Sequence, residues 1–355
     1  MNFRSASTGS SHPLRLGLVL AAVTLLAGGC LSDTTKIDAR LTAAVQPATP
    51  PATGCVETCG IQLMVTSRSA TDVDSVEYDK KAGNAIGNEN YYVASASKWL
   101  ASAVVMSVVD DGLLSLDSTV GQFFPAYAGT QKGTITLAQL FSHTSGMAWT
   151  SNNCLGSASF TLATCVDAIL AADLKAPPGT QFAYGGNSME VAARMAELAT
   201  GQTWEQLSQT RLIQPLGLTK TWWKADNPQI AGGAASTIAD YDRFMAVMQS
   251  NGTRFGVTIL SPGAVAAMET NRIAGLTIAY TPNPAIDGYG LGVWLDRGPN
   301  GIIVSSPGAF GVFPFIDRGR CYRGILFQNS SYANALRQMS VIGPELDRQL
   351  HCPSN

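Results

Sequence analysis

The chain has 355 residues, of which 46% are hydrophobic and 14% are charged, and its formal net charge is −2. This composition excludes a disordered or fibrous protein, because enough apolar side chains are present to bury a sizeable core. The charged residues are scattered without a basic run, so no surface for nucleic acid is expected. One folded unit with small, neutral partners is expected.

The first segment of the chain has the composition of an export signal. Arg4 and Arg15 precede an apolar stretch at 16–26, which runs into small residues and then Cys30. The stretch is short for a bilayer span, so a signal peptide at 1–29 is favoured over a transmembrane helix. Cys30 resembles the lipobox cysteine of bacterial lipoproteins, which becomes the lipid-modified N-terminus. We therefore expect an exported lipoprotein at the periplasmic or cell-surface face of a bacterial membrane, the outer membrane being favoured, with plain secretion as the alternative.

Export makes the other cysteines candidates for disulfides, since oxidising compartments favour them. Any six cysteines allow fifteen connectivities. Sequence spacing favours Cys55 with Cys59, Cys154 with Cys165, and Cys321 with Cys352. A metal site is the weaker interpretation, because the histidines do not stand in a ligand spacing such as His-Glu-x-x-His.

The N-terminal part of the mature chain predicts a tether followed by strands. Residues 30–58 are rich in Ala, Thr and Pro, which is typical of an extended, poorly packed segment ahead of a domain at 59–355. Alternating patterns predict short strands at 61–66 and 75–78 and an extended approach at 91–94.

The middle of the chain is predicted to be mostly helical, with strands returning at the C-terminus. Helical periods run over 95–111, 188–200 and 238–249. Four strand-like runs follow, at 291–295, 302–305, 311–316 and 322–328. A last helix at 332–350 is expected to break at Gly343-Pro344. This order predicts an α+β fold, with one antiparallel sheet completed by both chain ends, flanking helices and a mostly helical inserted subdomain.

The run Ser95-Ala96-Ser97-Lys98 opens the first of these helices. Ser95 and Lys98 are three residues apart on one helix face, so the amine can serve as the base that a serine nucleophile needs. Burial would lower the lysine pKa, and the helix N-terminus would stabilise a developing alkoxide. Ser97 is the less favoured nucleophile, because Leu100 stands where its lysine would be. About one Ser-x-x-Lys occurs by chance at this length, so the motif needs further support.

That support comes from the order of the segments that follow. Asp111-Gly112, a Leu-containing run at 113–117, Phe123-Phe124-Pro125 and the loop Ser142-His-Thr-Ser-Gly146 come in turn after the serine motif. With these segments the chain resembles the serine beta-lactamase and penicillin-binding-protein superfamily, in particular the class C beta-lactamase-related hydrolases that include family VIII carboxylesterases. The resemblance implies a beta-lactamase-like fold and an acyl-enzyme on the serine of the motif.

The second motif of that family, Tyr-x-Asn, is matched by Tyr184-Gly185-Gly186-Asn187. The resemblance implies that Tyr184 is a general base or proton shuttle. Neighbouring ammonium groups would lower the pKa of its phenol. Gly186 stands where the family has Asn, and Asn187 follows one place later, so either could take the role of substrate contact.

The third motif, Lys-Thr-Gly or a variant of it, is matched by Ser306-Pro307-Gly308. The resemblance implies that Gly308 lets the strand approach the substrate, and that the backbone N–H groups of Ser95 and Ala309 form an oxyanion hole. Ser306 replaces a cation that helps the family's beta-lactamases and peptidases to hold a substrate carboxylate. Neutral esters or amides are therefore expected, with Asn187, Ser306 and Gly308 as substrate-binding residues.

Together these features predict a serine hydrolase that acts on a small ester or amide. Two alternatives stay open: a beta-lactamase or D-Ala-D-Ala peptidase, and a non-catalytic lipoprotein that binds similar ligands. His143 is interpreted as structural, and the chain has no Gly-x-Ser-x-Gly elbow or Gly-rich phosphate loop. We expect a monomer without metal or cofactor, whose further contact is with the membrane through its lipid anchor.

Overall fold

The computed structural model describes residues 31–45, 57–84, 90–298 and 300–352. Within these residues the strands, in chain order, are β1 (Gly60–Arg68), β2 (Asp74–Gly83), β3 (Tyr91–Tyr92), β4 (Gln181–Ala183), β5 (Ala235–Ser236), β6 (Thr253–Arg254), β7 (Val257–Thr258), β8 (Thr277–Tyr280), β9 (Trp294–Gly298), β10 (Gly301–Ser305), β11 (Phe313–Asp317) and β12 (Tyr322–Gln328). The main sheet has six strands in the order β2-β1-β12-β11-β10-β9, and all its described pairings are antiparallel.

Most α-helices of the described residues lie, in chain order, between the early strands of the main sheet (β1 and β2) and its late strands (β9 to β12). They are α1 (Thr35–Ala44), α2 (Ser97–Asp110), α3 (Val120–Phe123), α4 (Leu137–Phe141), α5 (Leu162–Ala171), α6 (Asn187–Thr200), α7 (Trp204–Ser208), α8 (Gln214–Leu216), α9 (Ile238–Gln249), α10 (Pro262–Met268) and α11 (Tyr332–Gln349). Helix α6 ends at Gly201, whose φ of 71° places it in the left-handed region that glycine tolerates best.

The predicted α+β architecture is confirmed. Strands from both chain ends meet in one sheet, because β1 pairs with β12 from Ile61↔Gln328 to Ser67↔Tyr322. Every residue of β12 is buried, since helices cover both faces of the sheet. Helix α2 lies in the larger core, where Trp99 packs edge to face against Phe244 of α9. The nucleophile motif therefore starts from the most buried helix of the domain.

The predicted tether at 30–58 is wrong over much of its described length. Helix α1 is folded there, with Ile37, Leu41 and Ala44 buried against the residues of α11, including Ile342 and Leu346. The segment carries three apolar residues at helical spacing, and their burial stabilises the helix. The Ala- and Thr-rich composition alone predicts an unpacked segment.

The predicted break in the last helix is also wrong. Helix α11 continues through Gly343 and Pro344. Pro344 lies on the exposed face, and the carbonyl four residues earlier belongs to the exposed Ser340, so water can satisfy it. The strand predicted at 291–295 is observed at Trp294–Gly298 instead.

Two predicted disulfides are formed, Cys154–Cys165 and Cys321–Cys352. Cys59 is also disulfide-bonded, while its predicted partner Cys55 lies outside the described residues. The predicted signal peptide and Cys30 lie outside them too. Among the helices that are described, none has the length and apolar character to cross a membrane. The described residues contain no cluster of His, Cys, Asp or Glu suited to a metal ion.

Candidate active site

The backbone that presents Ser95 is held in a strained conformation between two strands and a buried helix. Strand β3 pairs with β5, and a 3-10 turn at Ala94–Ala96 then leads into α2. Ala94 has a φ of 48°, which is unfavourable for a residue with a Cβ atom. The Val93 N–H donates to the Ala234 carbonyl at 2.9 Å on one side of this turn. This geometry leaves Ser95 partly exposed at the start of a rigid helix.

The third-motif segment supports that turn from the sheet side. The Ser306 hydroxyl donates to the Ser95 carbonyl at 3.2 Å, and Gly292 O lies 3.4 Å from the same hydroxyl. A Cβ atom on Gly308 would lie 2.1 Å from the Val93 carbonyl oxygen, so glycine is needed for this close approach of two backbones. Ser306 is buried with its hydroxyl directed at the Ser95 carbonyl, and Gly308 packs against the Val93 carbonyl. Neither residue is among the described lining of the cleft, so their substrate contacts stay predictions.

Lys98 reaches back along the helix face to Ser95, as the spacing predicts. Its Nζ lies 3.0 Å from Ser95 Oγ and 2.9 Å from the Ala231 carbonyl oxygen, which accepts one of its hydrogens. The same nitrogen lies 4.7 Å from the centre of the Tyr184 ring. Burial lowers the pKa of Lys98 to about 7, and the charge of Glu190 acts in the opposite direction. An amine that is neutral near pH 7 and hydrogen-bonded to a hydroxyl can accept its proton.

Tyr184 lies at the end of β4, where its N–H donates to the Tyr280 carbonyl at 3.0 Å. Its ring stacks on Trp294 at 5.0 Å and contacts the His143 ring at 4.8 Å. The predicted lowering of its pKa is wrong, because burial raises the pKa of this phenol well above its usual value, with hydrogen bonding to Ser95 opposing that effect. Tyr184 is therefore a neutral phenol that can donate a proton and relay one.

Asn187 does not lie among the cleft-lining residues around Ser95. Its amide nitrogen donates to the carbonyls of Ala148 and Thr150 at 2.9 and 3.0 Å, and its oxygen accepts from the Asn152 N–H at 3.1 Å. These bonds use both of its donors, so the residue fixes the loop at 148–152, and its substrate contact stays a prediction that this geometry does not support. Gly186, at the alternative position, does line the cleft.

The predicted oxyanion donors, Ser95 and Ala309, both line the cleft. Within the part of the chain that the structure describes, neither of their backbone N–H groups donates a hydrogen bond. The Ala309 carbonyl, by contrast, accepts from the Tyr332 N–H at 3.0 Å. Two free N–H groups beside the nucleophile are the arrangement that an oxyanion hole requires.

The cleft around Ser95 has a volume of about 640 Å³. Aromatic side chains from separate segments line it, among them Trp149, Tyr280, Phe310 and Tyr92, and Trp149 stacks on Tyr280 at 6.2 Å. Lys98 and Lys224 are the charged residues of the described lining, and Lys224 is exposed. The sequence did not predict this aromatic lining, because its side chains are far apart in the chain.

Glu190 was also missed. It lies in α6, is fully buried, and its Oε1 accepts from the Ala231 N–H at 3.4 Å. Burial raises the pKa of Glu190 to about 7, while the Ile230 and Ala231 N–H groups and Lys98 act in the opposite direction. The sequence feature that could have indicated it is a single acidic residue within the otherwise apolar run Met189–Ala193.

His143 has a structural environment, in agreement with its interpretation. It is buried, its Nε2 lies 3.2 Å from the Tyr289 hydroxyl, and its Nδ1 lies 3.4 Å from Ser188 Oγ. Burial and the charge of Lys98 hold the pKa of His143 well below its usual value. A neutral imidazole packed on the Tyr184 ring orients that ring.

Comparison with known proteins gives the family of the chain and its fold. The Beta-lactamase family model matches residues 55–340. Penicillin-binding protein 4 of Amycolatopsis lactamdurans is 35% identical over 127 residues, which cover 35% of this chain and 33% of that protein. The chain thus matches about a third of that relative's length.

Solved structures extend the likeness over most of the domain. A beta-lactamase candidate from Bacteroides dorei DSM 17855 superposes with a TM-score of 0.74 at 30% identity, covering 88% of this chain and 98% of that one. EstCE1, a hydrolase with promiscuous acyltransferase activity, has a TM-score of 0.71 at 17% identity and covers 88% of this chain and 97% of its own. The second likeness concerns the fold alone.

Proposed function

Because the chain belongs to the Beta-lactamase family, whose members are serine-dependent hydrolases and acyltransferases, we propose that it hydrolyses small esters or amides through an acyl-enzyme on Ser95. The observation that carries this proposal is the 3.0 Å contact between Ser95 Oγ and Lys98 Nζ at the base of an open cleft. A buried amine whose pKa is lowered to about 7 has a substantial neutral fraction near pH 7 and is suited to removing the serine proton.

The proposed reaction has two steps. Ser95 Oγ attacks the substrate carbonyl carbon while its proton passes to Lys98, and the oxyanion is held by the N–H groups of Ser95 and Ala309. The leaving alcohol or amine takes a proton relayed by Tyr184. Water then attacks the acyl carbon, the same groups relay its proton back to Ser95, and the acid is released.

The cleft supports substrates with an apolar acyl or leaving group. None of its described lining residues is acidic, and the aromatic side chains of Trp149, Tyr280 and Phe310 provide flat surfaces for an uncharged group. The sheet-side position of the family's cation is occupied by the buried Ser306, which gives a substrate carboxylate no partner there. Neutral esters or amides therefore remain the proposed substrate class.

A second candidate, a beta-lactamase or D-Ala-D-Ala peptidase, is favoured by one observation. Lys224 lines the cleft and has no hydrogen bond or ion pair with any described residue, so it is free to meet a substrate carboxylate. An exposed lysine on a flexible stem binds a carboxylate weakly, which is why this function ranks second.

Labelling separates these functions. We expect a fluorophosphonate probe to modify the wild-type protein and to leave Ser95→Ala unmodified, with unchanged thermal unfolding of the variant. Turnover of p-nitrophenyl esters faster than of nitrocefin supports the proposed substrate class, and the reverse order supports the beta-lactamase. An absence of adducts with both fluorophosphonate and fluorescent penicillin would assign the chain to the non-catalytic, ligand-binding descendants of the family.

We also propose that the protein is exported and anchored through Cys30. Since Leu31 is buried and α1 begins at Thr35, an anchored chain would hold its folded domain close to the bilayer rather than on a long tether. Metabolic labelling with an alkyne fatty acid in a bacterial host should modify the wild type and spare Cys30→Ser. Equal labelling of the two would exclude the anchor at this position.

A further inference from the structure

A buried carboxylate lies behind the proposed base. Glu190 has no measurable solvent exposure, and its Oε2 has no hydrogen-bond partner among the described residues. No described ion pair includes it either, since every salt bridge found in these ranges joins other residues. Burying a carboxylate with one oxygen unpaired is costly, which points to a role beyond packing.

Ala231 connects Glu190 to Lys98. Its N–H donates to Glu190 Oε1 at 3.4 Å, and its carbonyl oxygen accepts from Lys98 Nζ at 2.9 Å. The carboxylate therefore holds the residue that in turn holds the amine. The charges also interact directly, because each group shifts the pKa of the other towards its ionised form.

The other titratable groups around Lys98 carry no opposite charge. Lys98 Nζ lies over the ring of Tyr184, and His143 lies next to that ring. Both residues are neutral, because burial raises the pKa of the tyrosine and lowers the pKa of the histidine. Gly186 stands where the family's second motif has Asn and brings no side chain to Lys98. Glu190 is thus the counter-charge that the described surroundings offer the amine.

We propose that Glu190 is a positioning residue that holds Lys98 against Ser95 through Ala231 and places a negative charge near that amine. The inference rests on the proposed function, since it assigns Lys98 the role of base. Glu190 touches neither substrate nor the reacting atoms, and acts through its carboxylate charge and its bond to the Ala231 N–H.

The expected sign follows from the charge. Acylation needs Lys98 in its neutral form, so its rate rises with pH through the pKa of the amine. Glu190, whose own pKa is raised to about 7, carries its negative charge in the upper part of the pH range of this rise, and there it favours the ammonium form and raises the pKa of Lys98. Glu190→Gln removes the charge while leaving an oxygen to accept from Ala231, so the rise should move to lower pH.

The test uses the rate of fluorophosphonate labelling at Ser95, which needs no known substrate. In this reaction the Ser95 Oγ–P bond forms, the P–F bond breaks, fluoride leaves and the serine proton passes to Lys98. The rate is followed between about pH 5 and pH 9, a range that brackets the pKa of Lys98 at about 7. For Glu190→Gln we expect the half-maximal pH to fall by about one unit.

The matched control is Glu77→Gln. Glu77 in β2 is also a buried carboxylate with one oxygen bonded, by Ser67, and the other unpaired among the described residues, but it lies outside the cleft. Its pH profile should match the wild type. A half-maximal pH that stays at the wild-type value in Glu190→Gln, or that falls equally in Glu77→Gln, would overturn the assignment.

A second variant covers the case in which Glu190→Gln does not fold. Glu190→Asp keeps the charge but withdraws from Ala231, so we expect a labelling rate about 3- to 10-fold lower at an unchanged half-maximal pH. A wild-type rate with a shifted pH profile would contradict the positioning role. If the wild type itself is not labelled at Ser95, the proposed function fails; if it is labelled and only the Glu190 results disagree, this inference fails alone.

Discussion

The start of α2 and the segment at 306–308 use their side chains in opposite ways. Ser95 and Lys98 point into the cleft and contact each other at 3.0 Å, whereas the Ser306 hydroxyl points inward to the Ser95 carbonyl at 3.2 Å. Both segments match family motifs in order and spacing. In the described structure the start of α2 faces the cleft, while the segment at 306–308 supports the backbone of the turn that carries the nucleophile.

The two regions depend on each other through the strained turn at Ala94. A left-handed alanine persists only where its surroundings enforce it, and the Ser306 hydroxyl and the Gly308 backbone do so from the sheet side. Mutations at the start of α2 should therefore change the reaction rate alone. Mutations in the segment at 306–308 should change the reaction rate and the stability of the fold together.

Removal of the base should have the largest effect. Lys98→Met keeps the length of the side chain and removes the amine, and we expect kcat/KM for an ester to fall by about 10³-fold or more. Lys132→Met is the control, because Lys132 donates to the Leu170 carbonyl outside the cleft. Activity of Lys98→Met within a few-fold of wild type would contradict the role of Lys98.

Tyr184→Phe should have the next largest effect. The ring and its stacking on Trp294 remain, so the thermal midpoint should change little, while loss of the proton relay lowers kcat by about 10²-fold. Tyr322→Phe removes another buried hydroxyl, one bonded to Asp347, and should leave kcat unchanged. Wild-type turnover by Tyr184→Phe would exclude the relay.

Ser306→Ala tests the supporting region directly. Losing its bond to the Ser95 carbonyl should lower the free energy of unfolding by about 1 kcal/mol. We expect kcat to fall by about 3- to 10-fold with KM unchanged, as the nucleophile loses its alignment. A rise in KM at unchanged stability would instead support the predicted substrate contact of Ser306.

Lys224→Gln should have the smallest effect. With a neutral ester we expect no change in kcat or KM, since no charge meets the lysine. With an ester that carries a carboxylate, KM should rise by about 5-fold, which corresponds to an exposed ion pair of about 1 kcal/mol. A loss of activity on neutral esters would place Lys224 in the reaction itself.

The sequence predicted those helices and disulfides that depend on residues close together in the chain. The helices beginning at Ser97, Asn187 and Ile238 follow apolar periodicity, and two disulfide pairs follow spacing. The predictions failed where tertiary contacts decide: α1 forms because α11 covers it, and α11 continues past Pro344 because that residue faces solvent.

The sequence alone determined the α+β fold and the pairing of Ser95 with Lys98, because helical spacing and segment order are properties of the chain. Tyr184 was added by the family resemblance. The tertiary structure decided what surrounds them. It turned Ser306 and Asn187 away from the cleft, brought Glu190 behind Lys98, and made Tyr184 a neutral phenol. Burial and hydrogen bonding depend on residues distant in the chain, and these interactions set the charge and direction of each side chain.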